Sequence, residues 1–139
     1  MAKQSMRFIK KEHGQAVAEL AITLPIFLMI LCGIIDFGWL FGNQLSLSYC
    51  CREGARYGIV NSEGAIAAQN IKDKVISETP DYLKDKITVT VTFSDASAPR
   101  DGDLCVKISA NIDTLTPVAG IFSGGETVTI SSQCVMKVE

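Results

Sequence analysis

Residues 13–20 read His13-Gly14-Gln15-Ala16-Val17-Ala18-Glu19-Leu20, and the chain then carries no charge until Asp36. Apolar side chains fill almost every position of residues 20–35, and the apolar character resumes after Asp36 as far as Phe41. Coiled as one α-helix rising ~1.5 Å per residue, residues 16–41 are long enough to cross a bilayer core of ~30 Å. Glu19 and Asp36 then lie about 25 Å apart along the axis, so each acid can sit near one face of the bilayer. Phe37, Trp39 and Phe41 flank Asp36 as an interfacial aromatic belt would. A carboxylate beside hydrocarbon costs at least ~2.5 kcal/mol if it reaches the bilayer centre. Glu19 therefore either reaches back to water or is kept for a partner that neutralises it. Asp36 reads as a boundary acid at the outer headgroups, with a contact to an assembly partner as the other reading.

The flanks orient this helix. Lys3, Arg7, Lys10 and Lys11 precede it against a single Glu12, which places the N-terminus in the cytoplasm and the residues after Asn43 outside. A secretory signal does not fit, because the apolar run is too long and no small-x-small site closes it. A lipoprotein signal fails as well, since bulky Leu31 precedes Cys32. Pro25 removes one backbone hydrogen bond and is expected to kink the helix, which neighbours in a membrane can compensate.

The 139 residues suffice for one domain, and the roughly 95 that follow the apolar segment can bury a modest core. The net charge of −2 argues against a nucleic-acid partner, which would call for a basic patch. The one histidine, His13, lies in the basic leader, so zinc sites and histidine-based catalysis are nearly excluded for a processed chain. No cofactor or metal is expected.

Residues 43–60 contain few breakers, and Leu47, Cys50/Cys51, Gly54 and Tyr57/Gly58 recur at helical spacing, so the helix is expected to continue beyond the membrane. Asn61 and Ser62 offer a cap for a second helix over residues 63–78. Its apolar stripe is Ala68, Ile71 and Val75, with Ile66 and Ile76 beside it, and Thr79-Pro80-Asp81 ends it. Residues 87–93 alternate strictly as Ile-Thr-Val-Thr-Val-Thr-Phe, a half-buried strand. Residues 104–112 alternate again, with Leu104, Val106, Ile108, Ala110 and Ile112 inward. Residues 127–138 form a third strand with Val128, Ile130, Cys134, Met136 and Val138 on one face. The connections are too short for crossover helices, so the fold class is α+β: a long N-terminal transmembrane helix that extends into a small exported domain with a second helix and a three-stranded antiparallel sheet. The division is 1–14 leader, 15–42 membrane helix, 43–139 exported domain.

Of five cysteines, Cys32 packs in the apolar helix, and Cys50, Cys51, Cys105 and Cys134 lie beyond it. No C-x-x-C pair points to a metal. Up to two disulfides can form if that side is oxidising. Strand phase puts Cys134 on the apolar face and Cys105 on the polar one, so a Cys105–Cys134 bridge needs a bulge. A link from Cys134 to Cys50 or Cys51 fits the phases better. Two small-residue pairs, Gly38/Gly42 and Gly54/Gly58, have the spacing that lets helices approach closely. Arg52, Glu53 and Arg56 read as a solvated helix face with weak intrahelical pairs.

The run GQAVAELAITLPIFLMILCGIIDFGWLF, followed by REGARYG at residues 52–58 and closed by CVMKVE, resembles TadE-like pseudopilins, the minor pilins of the tight-adherence (Tad or Flp) type IV pilus system. Ala18-Glu19-Leu20 departs from that family, where valine more often precedes the glutamate and phenylalanine follows it. The resemblance implies a leader cut after Gly14 by a prepilin peptidase, so that the mature chain begins at Gln15 with Glu19 as its fifth residue. Glycine before the cut lets the peptidase carboxylates approach the scissile carbonyl. The new amine at Gln15 would pair with Glu19 of a neighbouring subunit and set axial register. The implied role is assembly of an adhesive pilus or related secretion apparatus, in the cytoplasmic membrane, with other pilins, the assembly platform and membrane lipid as partners. The competing reading is a single-pass anchor for an exported binding domain that is neither cleaved nor polymerised. No nucleophile–base set or phosphate loop supports an enzyme.

Overall fold

The structure, a computed structural model, describes residues 2–61, 67–94, 102–117, 120, 124–125 and 127–138, with side chains from residue 14 onward. One helix, α1 (Ala2–Val60), runs through the leader, the apolar segment and the stretch beyond it, passing Pro25 without interruption. It is followed by α2 (Ala67–Glu78), a single turn α3 (Asp81–Lys84), and strands β1 (Ile87–Phe93), β2 (Asp103–Asp113) and β3 (Thr127–Lys137). The strands form one antiparallel sheet in the order β1-β2-β3. This is the α+β arrangement expected of the alternating and helical patterns.

Alternation decides which face of the sheet is dry. Leu104, Val106, Ile108, Ala110 and Ile112 of β2 are each at most 2 % exposed. Ile87, Val89, Val91 and Phe93 stand beside them from β1, and Ile130, Cys134 and Met136 from β3. Each fully buried aliphatic side chain contributes about 1.5–3 kcal/mol relative to its exposed state, so the central strand anchors the core. The opposite face carries Thr88, Thr90, Thr92, Lys107, Thr129, Ser131 and Gln133 and meets water. The inner face is covered by α1 over β2 and β3, and by α2 toward β1.

α1 presents one stripe to this sheet: Asp36, Asn43, Leu47, Cys50, Cys51, Gly54, Ala55 and Gly58 are buried, at the spacing of a 3.6-residue repeat. Gly54 and Gly58 are there because nothing larger fits. A Cβ on Gly54 would overlap Val75 Cγ2, and one on Gly58 would overlap Leu104 Cδ2 and come within 2.8 Å of Ile71 Cδ1. This pair therefore lets α2 and β2 of the same chain come close to α1. Cross-ties hold the seam: the Gln44 amide donates to the Ser131 carbonyl at 3.0 Å, and the Ser132 hydroxyl to Ser48 Oγ at 3.2 Å. Arg52 and Arg56 are exposed, and the Arg56–Glu53 pair at 3.9 Å contributes little.

Several local expectations change. Asp36 is neither a headgroup acid nor a group held out for a partner: it is 2 % exposed. Its carboxylate accepts the Leu115 and Thr116 N–H groups, both at 2.9 Å, and the Thr116 hydroxyl. Residues 114–116 follow β2 and lead to Pro117, and the carboxylate satisfies the N–H groups of Leu115 and Thr116 at once. Trp39 does not join an aromatic belt with Phe37 and Phe41. Those two are exposed and stacked at 6.0 Å, while Trp39 turns inward onto Tyr82 at 5.7 Å, since helical steps put it on the face of Asp36 and Asn43. Tyr82 also donates to Asn43 Oδ1 at 3.0 Å, and the Asn43 amide donates to the Trp39 carbonyl at 2.8 Å. Asn61 closes α1 instead of opening α2, because its backbone N–H and its side-chain amide both reach the Tyr57 carbonyl at 3.1 Å. The described part of α2 begins at Ala67, and the expected cap Ser62 and stripe residue Ile66 lie outside the described residues. Its buried face is Ala67, Ile71 and Val75, with Ala68 at the margin and Ile76 39 % exposed. The single turn α3 has no counterpart in the sequence reading, because four residues are too few to show a period.

Gly54→Ala and Gly58→Ala should each lower the unfolding free energy of the sheet half by about 1–3 kcal/mol through overpacking, whereas Gly38→Ala, which meets open space, should not lower it. Denaturant titration in detergent measures this. Asp36→Ala should cost about 1–3 kcal/mol by leaving donors unsatisfied, and the Leu115 and Thr116 amides should then exchange their hydrogens faster than in the unchanged chain.

Candidate functional site

The sheet reaches α1 only from Asp36 onward. Before that point every described side chain from Gly14 to Ile35 is exposed except Cys32, which is half-covered. Leu20, Ile22, Phe27 and Ile30 are each 58–69 % exposed. The helical stretch Gly14–Val60 has a most apolar window of mean hydropathy 2.4, of which 6 % is buried in the chain. A bare apolar surface of this size belongs against lipid or another protein. By length and composition this is one helix able to cross a membrane.

Glu19 lies on this surface, near its N-terminal end. Its carboxylate accepts the Gln15 side-chain amide at 3.1 Å. The i,i+4 spacing places the two side chains one turn apart on the same face. An amide dipole is a weak partner for a full charge in a medium without water. Thr23 turns its hydroxyl back onto the helix, to the Glu19 carbonyl at 3.0 Å and the Leu20 carbonyl at 3.3 Å, and so presents a methyl outward.

The glycines of α1 divide into two sets. Gly54 and Gly58 are required by the packing just described. Gly14, Gly33, Gly38 and Gly42 meet nothing within 4 Å where a Cβ would be, and none has a positive φ. Each glycine in a helix interior costs about 1 kcal/mol relative to alanine. Among the described residues no side chain or backbone comes near enough to these four to require a glycine there. Gly14 is next to Gln15, and Gly38 and Gly42 share the exposed region with the stacked Phe37 and Phe41.

The cysteines beyond the apolar stretch separate by face. Cys50 donates its thiol to the Glu78 carbonyl at 3.4 Å, and Cys51 to the Val106 carbonyl at 3.1 Å. Burial pushes both thiols up, Cys51 to about 11. Cys134 joins the inner face beside Cys51, and Cys105 is on the outer face, where its sulfur accepts the Gln133 amide at 3.1 Å. All five cysteines are thiols in this structure. Among the described residues no cluster of three or more histidine, cysteine or acidic side chains is arranged to hold a metal ion.

The site thus consists of an exposed apolar helix half, a carboxylate near its start, and glycines that meet nothing among the described residues. No curated protein and no solved structure matches the chain. The family model described as TadE-like protein matches residues 14–56, a stretch that starts at Gly14 and takes in Glu19, Asp36 and the first of the two packing glycines. Over residues 14–56, then, this chain is similar to TadE-like proteins.

Proposed function

We propose that the protein is a minor pilin of the Tad type, inserted in the cytoplasmic membrane through α1, cut after Gly14 by a prepilin peptidase, and used in assembling an adhesive pilus or a related secretion apparatus. The TadE-like match relates the chain to the Tad pilus. The observation that carries the finer reading is the conjunction at the start of the bare helix: a glycine that meets nothing within 4 Å among the described residues, followed at once by Gln15 and one turn further by Glu19 on the same face as Gln15.

Each part has a physical task. The Gly14–Gln15 bond lies inside α1, and a peptidase needs its substrate extended. Glycine is the residue that most weakens a helix locally, short of proline, and it leaves the carbonyl unobstructed. Cleavage frees a positive amine on Gln15 at the new helix N-terminus. Glu19, with an amide as its side-chain hydrogen-bond partner in the uncut chain, is the carboxylate one turn away. When helices pack in a filament, the amine of one subunit meets Glu19 of the next, and two charges that are costly alone neutralise each other. Gly38 and Gly42 give the approaching helix a flat strip on which to lie. The basic leader keeps the N-terminus in the cytoplasm and the sheet half outside. Partners on this reading are the peptidase, other pilins, the assembly platform and lipid, and the protein performs no catalysis of its own.

Gly14→Ala should leave the leader attached, seen as a larger chain that still starts near Met1, with loss of pili. An uncleaved, non-polymerising membrane anchor predicts no change in chain size or pili from that substitution. Glu19→Gln should be cleaved at the normal position, by N-terminal sequencing, yet yield at least about tenfold fewer pili, because a buried amine without its counter-charge costs several kcal/mol. Normal pilus numbers in that variant would remove the pairing role.

A further inference from the structure

Cys51 is 0 % exposed on the packed face of α1. Its thiol donates to the Val106 carbonyl at 3.1 Å and lies 3.7 Å from the Ser132 carbonyl. Val106 stands directly opposite Cys134 in the β2–β3 register, and Ser132 is the preceding residue on the same face of β3. The Cys51 sulfur therefore sits over the part of the sheet where Val106 faces Cys134. Cys50, one helical step round, points to the end of α2. Cys105 pairs across from Val135, with the sheet between it and Cys51.

We propose that Cys51 and Cys134 form a disulfide that staples the middle of α1 to β3. The geometry is that of the folded chain itself. Only the place where the bond forms, an oxidising compartment, rests on the outward orientation proposed above. Cys134 is the more accessible sulfur and meets the oxidant, a molecule or oxidoreductase that carries a reactive disulfide. The Cys134 thiolate attacks that S–S bond, forms a mixed disulfide and releases one thiolate. The Cys51 thiolate then attacks the Cys134 sulfur and expels the second thiolate. Two electrons pass to the oxidant's sulfur pair, and the two protons lost by Cys51 and Cys134 end on the two released thiolates. Because burial holds the Cys51 thiol near 11, its thiolate is scarce at neutral pH, and the second step is slow in the folded chain. The closed loop takes in α2 and most of the sheet, so the bond removes much of the freedom of the unfolded chain. It also locks the rotation of α1 against the sheet, and with it the direction in which Gly38 and Gly42 face.

The full-length protein in detergent, oxidised with glutathione disulfide and digested without reduction, tests this. The peptide ending at Arg52 should be joined to the peptide ending at Lys137, while the Cys105 peptide is alkylated as a free thiol. The link should persist in Cys50→Ser and vanish in Cys51→Ser and in Cys134→Ser. Reduction should lower the melting temperature of the unchanged chain by more than about 10 °C and leave that of Cys134→Ser unmoved. A free Cys134 after oxidation, or a link that survives Cys51→Ser, overturns the proposal. Mapping the protein taken from membranes separates the two readings: a bond made in detergent but absent from cells refutes the outward orientation and leaves the pairing standing.

Discussion

The packed stripe of α1 has to do two things at once: bring the helix axis close to β2 and α2, and stop doing so at a fixed height. Gly54 and Gly58 set the closeness, since Val75, Ile71 and Leu104 occupy the space their side chains would need. Asp36 sets the height. Among the described residues it is the last buried position toward the N-terminus, and it is held by backbone N–H groups of the segment after β2. Between these points Leu47, Cys50, Cys51 and Ala55 seal against the inner face of the sheet. Among the described side chains N-terminal to Asp36, only Cys32 is partly covered, and the rest are left bare. The apolar surface available for lipid or for other helices is thus defined by where this one contact stops.

Two acids on one helix show how environment assigns roles. Glu19 and Asp36 both interrupt apolar sequence, and composition alone treats them alike. Asp36 has charge-assisted bonds from its own chain, which is why it can be buried. Glu19 has a side-chain amide. The first is an internal fastener. The second stands exposed near the start of the bare helix, and this supports the proposed reading in which a freed amine meets it.

The glycines sort by the same logic. A glycine in a helix is a cost, and the fold repays that cost at Gly54 and Gly58 alone among those in α1. The others meet open space among the described residues and lie in the exposed half, Gly38 and Gly42 beside Phe37 and Phe41. Against this, the polar ties on the other side of the helix, Gln44 to Ser131 and Ser48 to Ser132, keep α1 from turning on the sheet.

Periodicity alone determined the elements. Strict alternation in residues 87–93, 104–112 and 127–138 can bury one face only as a strand, and an uncharged run from Leu20 to Ile35 can satisfy its backbone in an apolar medium only as a helix. The continuation of α1 through Val60 and the separation of Cys105 from Cys134 by sheet face follow from the same spacing. The short turn α3, the inward turn of Trp39 and the closure of α1 by Asn61 depend on partners far along the chain or on too few residues to show a period. Tertiary structure decided the use of individual groups: which glycines pack, which cysteine lies over β3, and which acid is already satisfied. Those choices turn on contacts between residues some eighty apart, such as Asp36 with Thr116 and Cys51 with Ser132, and no local pattern encodes a contact whose energy exists only after the sheet has closed on the helix.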